Sequence, residues 1–348
     1  MSYLSRCLPF LTGVIAAGMF TQSCIKSTSP EDIAAEIGGG YTVVAKLEPT
    51  GYAQDVIVVD SCAYIAEGQG GFGIVSVKDP EHPILLSELL YETAGYARKL
   101  AYFKDSDGTE IIYCADGSYG VASIDVTDKI HPRVPKKNNG YRPAISFCIF
   151  RKFLLTAVNG NGIAIVPFND PKFPLVSDPP TGFKVPGYCK GVCISADSGY
   201  ALLACGEGGF NILNLSHWVT HTKIPDGVSG RLDLPGSAEY IVNIPGTKYA
   251  CIACGPAGLQ IIDYADTAHI KLVGSFATGG FAKDVCVAGS RAYLATELHG
   301  VQIIDIEDVT TPKLIGKVQT SDARGIDVSN GYVYVTDQYQ GLIIIKIP

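Results

Sequence analysis

The sequence of 348 residues lacks most of the motifs that identify an enzyme or a nucleic-acid-binding protein. It contains no GxSxG nucleophile motif, and no Walker or Rossmann glycine loop is identified in it. No Lys/Arg run is interleaved with aromatic residues, and the net charge of −7 argues against general affinity for nucleic acid or anionic membranes. No sustained helical periodicity occurs beyond the N-terminus. Short strands and turns therefore account for most of the chain.

A unit of about 45 residues repeats from Gly51 to the end of the chain, and its clearest copy is residues 280–316. Period-2 alternation between turn-forming residues predicts four strands in this copy. They are Asp284–Val287, Ala292–Thr296, Val301–Ile306 and Pro312–Gly316. Four strands per repeat at this period are typical of one blade of a β-propeller.

Two columns align seven copies of the unit. A glycine opens each third strand: Gly71, Gly120, Gly162, Gly209, Gly258, Gly300 and Gly341. A second column lies two residues before the apolar start of each first strand: Gln54, Arg98, Pro143, Lys190, Glu239, Lys283 and Arg324. The seventh copy ends on its third strand, so we expect the strand at Tyr41–Leu47 to complete the last blade and remove its open edge. The sequence thus predicts an all-β, seven-bladed propeller with four antiparallel strands per blade.

The segments FGIVSVKD, VASIDVTD, LQIIDYAD and VQIIDIED resemble the LVIVD-repeat family of bacterial propellers. The resemblance covers residues 41–348 and implies the propeller fold. It implies little about chemistry, because the motif residues are structural strand residues. A WD40 propeller fits less well, because the chain has no Trp-Asp pair and only one tryptophan, Trp218.

Residues 1–23 have the features of an export signal. Arg6 precedes the apolar segment Cys7–Phe20, whose 14 residues are too few to span a bilayer. The segment Thr21–Cys24 then resembles the bacterial lipoprotein processing site, although Thr21 replaces the usual aliphatic residue. The resemblance implies that Cys24 is lipidated; an ordinary secretory signal cleaved near Ser23 is the alternative.

These features predict a lipoprotein signal peptide at 1–23, a lipid-anchored tether at 24–40 and a propeller domain at 41–348. We therefore expect an exported cell-envelope protein, an outer-membrane lipoprotein that faces the periplasm or the surface. Its one expected membrane contact is the lipid on Cys24.

Nine cysteines remain once Cys7 and Cys24 are set aside, and an odd number cannot pair fully within one chain. They are Cys62, Cys114, Cys148, Cys189, Cys193, Cys205, Cys251, Cys254 and Cys286. Cys251 and Cys254 have CxxC spacing, but on a strand their side chains point to opposite faces. Cys205 and Cys254 share a repeat column and could be neighbours across two blades. We interpret the nine as small core hydrophobic residues.

No metal or cofactor is predicted. His82, His131 and His269 share a turn column on different blades, too far apart to bind one ion. Asp105–Glu110 resembles part of a calcium loop but fits a hairpin turn better. His217 and His221 flank Trp218 in the longest connection, residues 216–234, which is either a local binding feature or an ordinary insertion.

The remaining candidate site is the face where two sets of loops surround the central channel. The connections between blades contribute Arg98, Lys190, Lys283 and Arg324, while the loops between second and third strands contribute Glu67, Asp116, Glu207, Glu297, Asp337, Tyr119, His299 and Tyr339. This face predicts a binding or scaffolding module for a protein or glycan ligand.

Two other functions stay open. A glycan-active enzyme would use a pair of channel-face carboxylates, drawn from Glu67, Asp116, Glu297 and Asp337. A structural part of an envelope complex would instead use the blade edges or the Trp218 loop.

Overall fold

The structure is a computed structural model that describes residues 38–48, 51–90, 95–117, 120–138, 143–160, 162–167, 170, 172, 181–215 and 228–348. Its 28 strands form seven four-stranded antiparallel sheets arranged in a ring. This confirms the predicted seven-bladed propeller.

The strands of the seven blades follow one another along the chain. Blade 1 contains β2 (Asp55–Val59), β3 (Cys62–Ala66), β4 (Phe72–Ser76) and β5 (Ile84–Leu89), and blade 2 contains β6 (Ala97–Lys104), β7 (Glu110–Asp116), β8 (Gly120–Asp125) and β9 (Arg133–Asn138). Blade 3 contains β10 (Ser146–Phe150), β11 (Phe153–Ala157), β12 (Ile163–Pro167) and β13 (Thr181–Phe183), and blade 4 contains β14 (Gly191–Ile194), β15 (Tyr200–Ala204), β16 (Phe210–Asn214) and β17 (Val228–Leu232).

Blade 5 contains β18 (Tyr240–Asn243), β19 (Tyr249–Ala253), β20 (Leu259–Asp263) and β21 (Lys271–Phe276), and blade 6 contains β22 (Asp284–Ala288), β23 (Arg291–Ala295), β24 (Val301–Asp305) and β25 (Lys313–Val318). Blade 7 contains β26 (Ala323–Ser329), β27 (Tyr332–Asp337), β28 (Gly341–Lys346) and, as its outer strand, β1 (Thr42–Leu47). In the copy at 280–316 the predicted strands are correct in number and order, with ends displaced by one or two residues.

The middle strands of each blade are buried on both faces, because each blade packs between two others. In β23 and β24, for example, four of five residues are buried. Strands buried on both faces form continuous apolar runs, as the LVIVD-like segments do. The core accordingly consists of clusters between neighbouring blades; Val56 and Ile65 of blade 1, for instance, pack with Tyr334 and Ile344 of blade 7.

The N-terminal strand closes the ring as predicted. β1 pairs antiparallel with β28, from Thr42 opposite Lys346 to Leu47 opposite Leu342. A Cβ on Gly40 would lie 3.0 Å from the Pro348 side chain, so the two ends of the propeller are adjacent. Because third strands run away from the channel face, β1 enters the propeller on the opposite face.

The glycine column has the conformation that its sequence position predicts. All seven residues have positive φ values, from 66° at Gly209 to 98° at Gly71. Only glycine adopts this region without steric cost, so the column marks a fixed turn into every third strand.

The register of the third blade differs from the prediction. The backbone N–H of Ile145 donates to the carbonyl of Ala157, at the position that Gln54 and Lys283 occupy in their blades. Pro143 has no backbone N–H and cannot form this bond. The apolar pattern predicts Ile145 as the start of the strand, but Ile145 faces the channel, and the first buried apolar residue of β10 is Phe147. Ile145 therefore replaces Pro143 in the column.

Candidate functional site

The seven column residues converge on one cavity at the mouth of the channel. The structure assigns Gln54, Arg98, Ile145, Lys190, Glu239, Lys283 and Arg324 to this mouth ring, one from each blade. The cavity has a volume of about 190 Å³, and Lys99, Asn159 and Tyr240 complete its lining. Five of the column residues are fixed by the same backbone hydrogen bond to the end of the second strand, 2.7–2.9 Å long. The repeated backbone geometry therefore directs seven side chains, one from each blade, into the same cavity.

Two lysines of the mouth ring bind the one carboxylate in it. Lys283 Nζ lies 3.0 Å from Glu239 Oε2, Lys190 bonds Glu239 Oε1, and the Ser237 hydroxyl donates to Oε1 at 2.7 Å. Burial alone would raise the pKa of Glu239, but Lys283, Lys190 and Ser237 hold it below the ordinary value. Glu239 is therefore a charged partner of both lysines.

The two arginines differ in their partners. Arg324 lies 3.1 Å from Glu297 and 2.7 Å from Asp322. The guanidinium of Arg98 lies 4.9 Å from the centre of the Tyr96 ring and forms no ion pair with any residue that the structure describes. Arg98 is also exposed, so among the described residues it is the mouth-ring cation that is open to an incoming anion.

One layer below the mouth ring, a buried lysine crosses the channel. Lys99 Nζ lies 2.8 Å from Asp55 of blade 1, 2.7 Å from Asp284 of blade 6 and 3.9 Å from the centre of the Tyr240 ring of blade 5. Only 17% of the Lys99 side chain is exposed. We call Asp55, Lys99, Tyr240 and Asp284 the channel floor.

Burial and ion pairing act in opposite directions on the ionisable groups of the floor. Burial would lower the pKa of Lys99, but Asp284 and Asp55 raise it well above the ordinary value. Burial raises the pKa of Asp55, and Lys99 opposes this. Asp327 lies near the same cluster and accepts the N–H of Val58 at 2.7 Å; burial raises its pKa to about 6.

Sequence reasoning missed this floor. Asp55, Lys99, Tyr240 and Asp284 each follow a mouth-ring residue directly, so reading the repeat alignment one position further would have found the column. The lysine and the two aspartates in that column would have indicated a charged cluster in the channel.

The predicted acidic residues occupy three different positions, and none of the five lines the mouth cavity. Glu67, Asp116 and Asp337 are buried at the ends of second strands. Asp337 accepts the N–H of Asp322 at 2.6 Å, Asp116 accepts that of Tyr96 at 3.1 Å, and a Cβ on Gly73 would lie 2.7 Å from Glu67 Oε1. The hydrogen bonds of Asp116 and Asp337 fix turns.

The other two acids lie further out. Glu207 is exposed, and Glu297, with a φ of 47°, reaches Arg324. Glu297 occupies a loop position that is glycine in several other blades. At this position an isolated antiparallel bridge pairs the loop with the start of the next blade, as Glu297 pairs with Ala323.

The remaining predicted site residues lie outside the cavity. His299 is exposed beside Gly280, and Tyr339 is exposed at the junction of blades 1 and 7. Tyr119, Trp218, His217, His221 and Cys24 lie outside the described residues.

The repeated histidines have the predicted turn role. His82, His131 and His269 each contact an aspartate three residues earlier, at 3.0, 3.0 and 2.8 Å. In the same way Asp105–Glu110 forms the hairpin between β6 and β7, with Gly108 N–H donating to Asp105. Among the described residues, no group of three or more His, Cys, Asp or Glu side chains could hold a metal ion.

All nine cysteines of the propeller are free thiols, five of them fully buried. Cys251 and Cys254 lie in different core clusters, as strand alternation predicts. Cys205 also lies apart from Cys254; its neighbour is Cys189, and burial and that contact raise the pKa of the Cys189 thiol. These cysteines fill space between blades.

The G-x-G-x-x-G spacing at Gly68–Gly73 joins two strands of blade 1. It offers no helix N-terminus to a pyrophosphate. Within the described residues, no helix has the length and apolar character needed to cross a membrane.

Comparison with known proteins identifies the repeat. The LVIVD-repeat family matches residues 50–90, 242–278, 279–320 and 321–347. No curated protein matches the chain. Among solved structures, the β-propeller domain of Cps50 (Swd1) from Myceliophteria thermophila superposes with a TM-score of 0.71 at 10% identity, covering 88% of this chain and 100% of that one. A chain of the mitotic checkpoint complex gives 0.66 at 10% identity, covering 88% and 96%. At this identity the likeness concerns the fold alone.

Proposed function

We propose that this LVIVD-repeat propeller is an exported, membrane-anchored binding module whose channel mouth binds an anionic group of its ligand. The observation that carries the proposal is the mouth ring, in which four of seven convergent side chains are cations. A binding or scaffolding role also agrees with the fold, in which loops on a rigid ring supply the binding residues.

The volume of the mouth cavity limits the size of the group that it can bind. About 190 Å³ is less than the roughly 300–1,000 Å³ of a typical small-molecule pocket. The mouth therefore accepts one acidic end group of a larger ligand, such as a terminal carboxylate or an acidic sugar. The floor beneath it prevents deeper entry, because Lys99 already occupies the channel.

The direction of the tether supports the anchored part of the proposal. Thr42 begins β1 on the face opposite the mouth. A lipid on Cys24 would hold that opposite face toward the membrane and leave the mouth directed away from it. A ligand could then reach the mouth without approaching the bilayer.

The glycan-active alternative has less support from the geometry. Glycosidases need two carboxyl groups that face the substrate at a separation of roughly 5–10 Å. Of the described residues that line the mouth cavity, only Glu239 is an acid, and it forms ion pairs with two lysines. Among the four acids considered for catalysis, Asp116 and Asp337 accept hydrogen bonds from backbone N–H groups, and Glu297 pairs with an arginine of the mouth ring.

The anion site is tested by Arg98→Glu. We expect at least tenfold weaker binding of carboxylate probes, because the substitution reverses the one mouth-ring charge that has no ion-pair partner in the described part of the chain. The measurement is isothermal titration calorimetry with galacturonate oligomers and short peptides that carry a free C-terminal carboxylate. Lys271→Glu, on an exposed outer strand, makes the same charge change elsewhere and serves as the control. Equal affinity in Arg98→Glu and wild type, or no binding by either probe class, would contradict the site.

The anchor is tested separately by Cys24→Ala. We expect the protein to move from the membrane fraction to the soluble envelope fraction, because the substitution removes the only proposed lipid attachment. Fractionation followed by immunoblotting measures this. A variant that stays in the membrane fraction would refute the lipid anchor and leave the anion site untouched.

A further inference from the structure

A second cavity lies where the ring closes, between blades 1 and 7. Its volume is about 630 Å³, and it is lined by Glu48, Gly51, Tyr52, Gln69, Gly70, Gln338 and Tyr339. Glu48 directly follows β1, the closing strand. We call this cavity the seam site, and it shares no lining residue with the channel mouth.

Two exposed tyrosines form one wall of the seam site. Tyr52 is 49% exposed and Tyr339 63% exposed, and their rings meet edge to face with centroids 6.3 Å apart. Large aromatic side chains usually bury most of their surface, so two exposed rings at one cavity indicate a contact surface for a ligand. The pair also bridges blades 1 and 7 at the place where the chain passes from β1 to β2.

The glycines form a flat base. A Cβ on Gly51 would lie 2.6 Å from Gly70 Cα, and the converse distance is the same. The two backbones therefore touch, and neither glycine contributes a side chain to the cavity. A flat surface beside aromatic rings suits a flat, extended ligand.

The polar groups of the site are available. The side chains of Glu48, Tyr52, Gln69, Gln338 and Tyr339 form no hydrogen bond with another residue of the described ranges. A carboxylate only accepts hydrogen bonds, whereas carboxamides and phenols both donate and accept. A ligand that satisfies all five must donate and accept repeatedly.

The charge of the lining excludes other ligand classes. None of the described residues that line the cavity is Lys, Arg or His, so an anion would find no cation there and would be repelled by the carboxylate of Glu48. A proline-rich peptide suits aromatic grooves but has few N–H groups to donate to the carboxylate. A quaternary ammonium donates no hydrogen bond, so it would leave the acceptor oxygens of both glutamines unused.

We infer that the seam site binds a neutral, hydroxyl-rich glycan, which packs a sugar ring on Tyr52 or Tyr339 and hydrogen-bonds Glu48, Gln69 and Gln338. Such a ligand would contact blade 1, blade 7 and the end of the closing strand together. Binding would therefore stabilise the closed ring.

The test is saturation-transfer NMR with cellopentaose, mannopentaose and chitopentaose on the folded propeller. We expect millimolar or tighter binding of at least one probe, and at least tenfold weaker binding in both Tyr52→Ala and Tyr339→Ala. Tyr188→Ala is the matched control, because Tyr188 is 60% exposed and occupies the position of Tyr52 in blade 4. Amide hydrogen exchange gives an independent readout, because the bound probe should slow exchange in β1.

Failure of all three probes at millimolar concentration would overturn the inference. Equal losses in Tyr188→Ala, no change in β1 exchange, or displacement of the probe by choline would also overturn it. Arg98→Glu should leave this binding unchanged, so the seam site and the channel mouth can fail separately.

Discussion

Replacing Lys99 by methionine is expected to lower the free energy of unfolding by about 3–5 kcal/mol, the cost of leaving buried charges without their partner. Methionine keeps most of the side-chain volume but removes the ammonium group that Asp55 and Asp284 share at 2.8 and 2.7 Å. Both carboxylates are almost fully buried, with 4% and 3% of their side chains exposed. Urea denaturation at pH 7 measures the loss.

The pH dependence of that loss distinguishes charge from packing. Burial raises the pKa of Asp55 to about 6 even though Lys99 opposes the shift, so without Lys99 the Asp55 carboxyl should retain its proton in the folded state to a still higher pH than in the unfolded chain. An acid whose pKa is higher in the folded protein than in the unfolded chain favours the folded state at pH values below its unfolded pKa. This contribution to the free energy of unfolding is lost as the pH rises through the folded-state pKa. The deficit of the variant should therefore shrink toward pH 4 and be largest at pH 7.

The control for this experiment is Lys271→Met, which makes the same chemical change on an exposed outer strand. It should alter the free energy of unfolding by less than about 0.5 kcal/mol. A loss in Lys99→Met that is the same at pH 4 and pH 7 would refute the charged floor and indicate a packing effect.

Gly300→Ala is expected to lower the free energy of unfolding by about 2–4 kcal/mol, from backbone strain and steric overlap together. Gly300 has a φ of 70°, and a Cβ there would lie 2.3 Å from the carbonyl oxygen of Val318 and 2.7 Å from the nitrogen of Thr320. Both neighbours are backbone atoms at the end of the fourth strand, so neither can move without displacing that strand. Thermal and urea unfolding measure the effect.

Gly289→Ala separates the two causes. Gly289 also has a positive φ, 59°, but a Cβ there meets nothing within 4 Å. It should cost about 1 kcal/mol, the strain of the left-handed conformation alone. Equal losses at Gly289 and Gly300 would show that close approach of the fourth strand contributes nothing.

The fold was predictable because its determinants are local. Period-2 alternation and one glycine per repeat specify each blade, and the absent fourth strand of the last copy identified β1 as the closing strand. The third blade was misread by two residues because Ile145, an apolar residue, faces the channel instead of the core. Apolar character alone does not say which side of the ring a residue faces.

The site was only partly predictable. Arg98, Lys190, Lys283 and Arg324 were found because a repeat column converges wherever blades form a ring. The places of the acidic residues were not predicted correctly, because Glu67, Glu207 and Glu297 occupy three different positions in their loops, and side chains at these positions point in different directions. The contacts of Lys99 with Asp55 and Asp284 join residues 44 and 185 positions apart, and only ring closure brings them together.

The pairing of β1 with β28 also determines when the ring can close during protein synthesis. The ribosome makes β1 first and β28 last, roughly 300 residues later, so the closing strand waits for its partner through nearly all of synthesis. Until then blade 1 lacks blade 7 as a neighbour, and the first strand made is an unpaired edge. Loss of the last eight residues, which include all of β28, would leave blades 1 to 6 intact in sequence and still remove the strand with which β1 pairs.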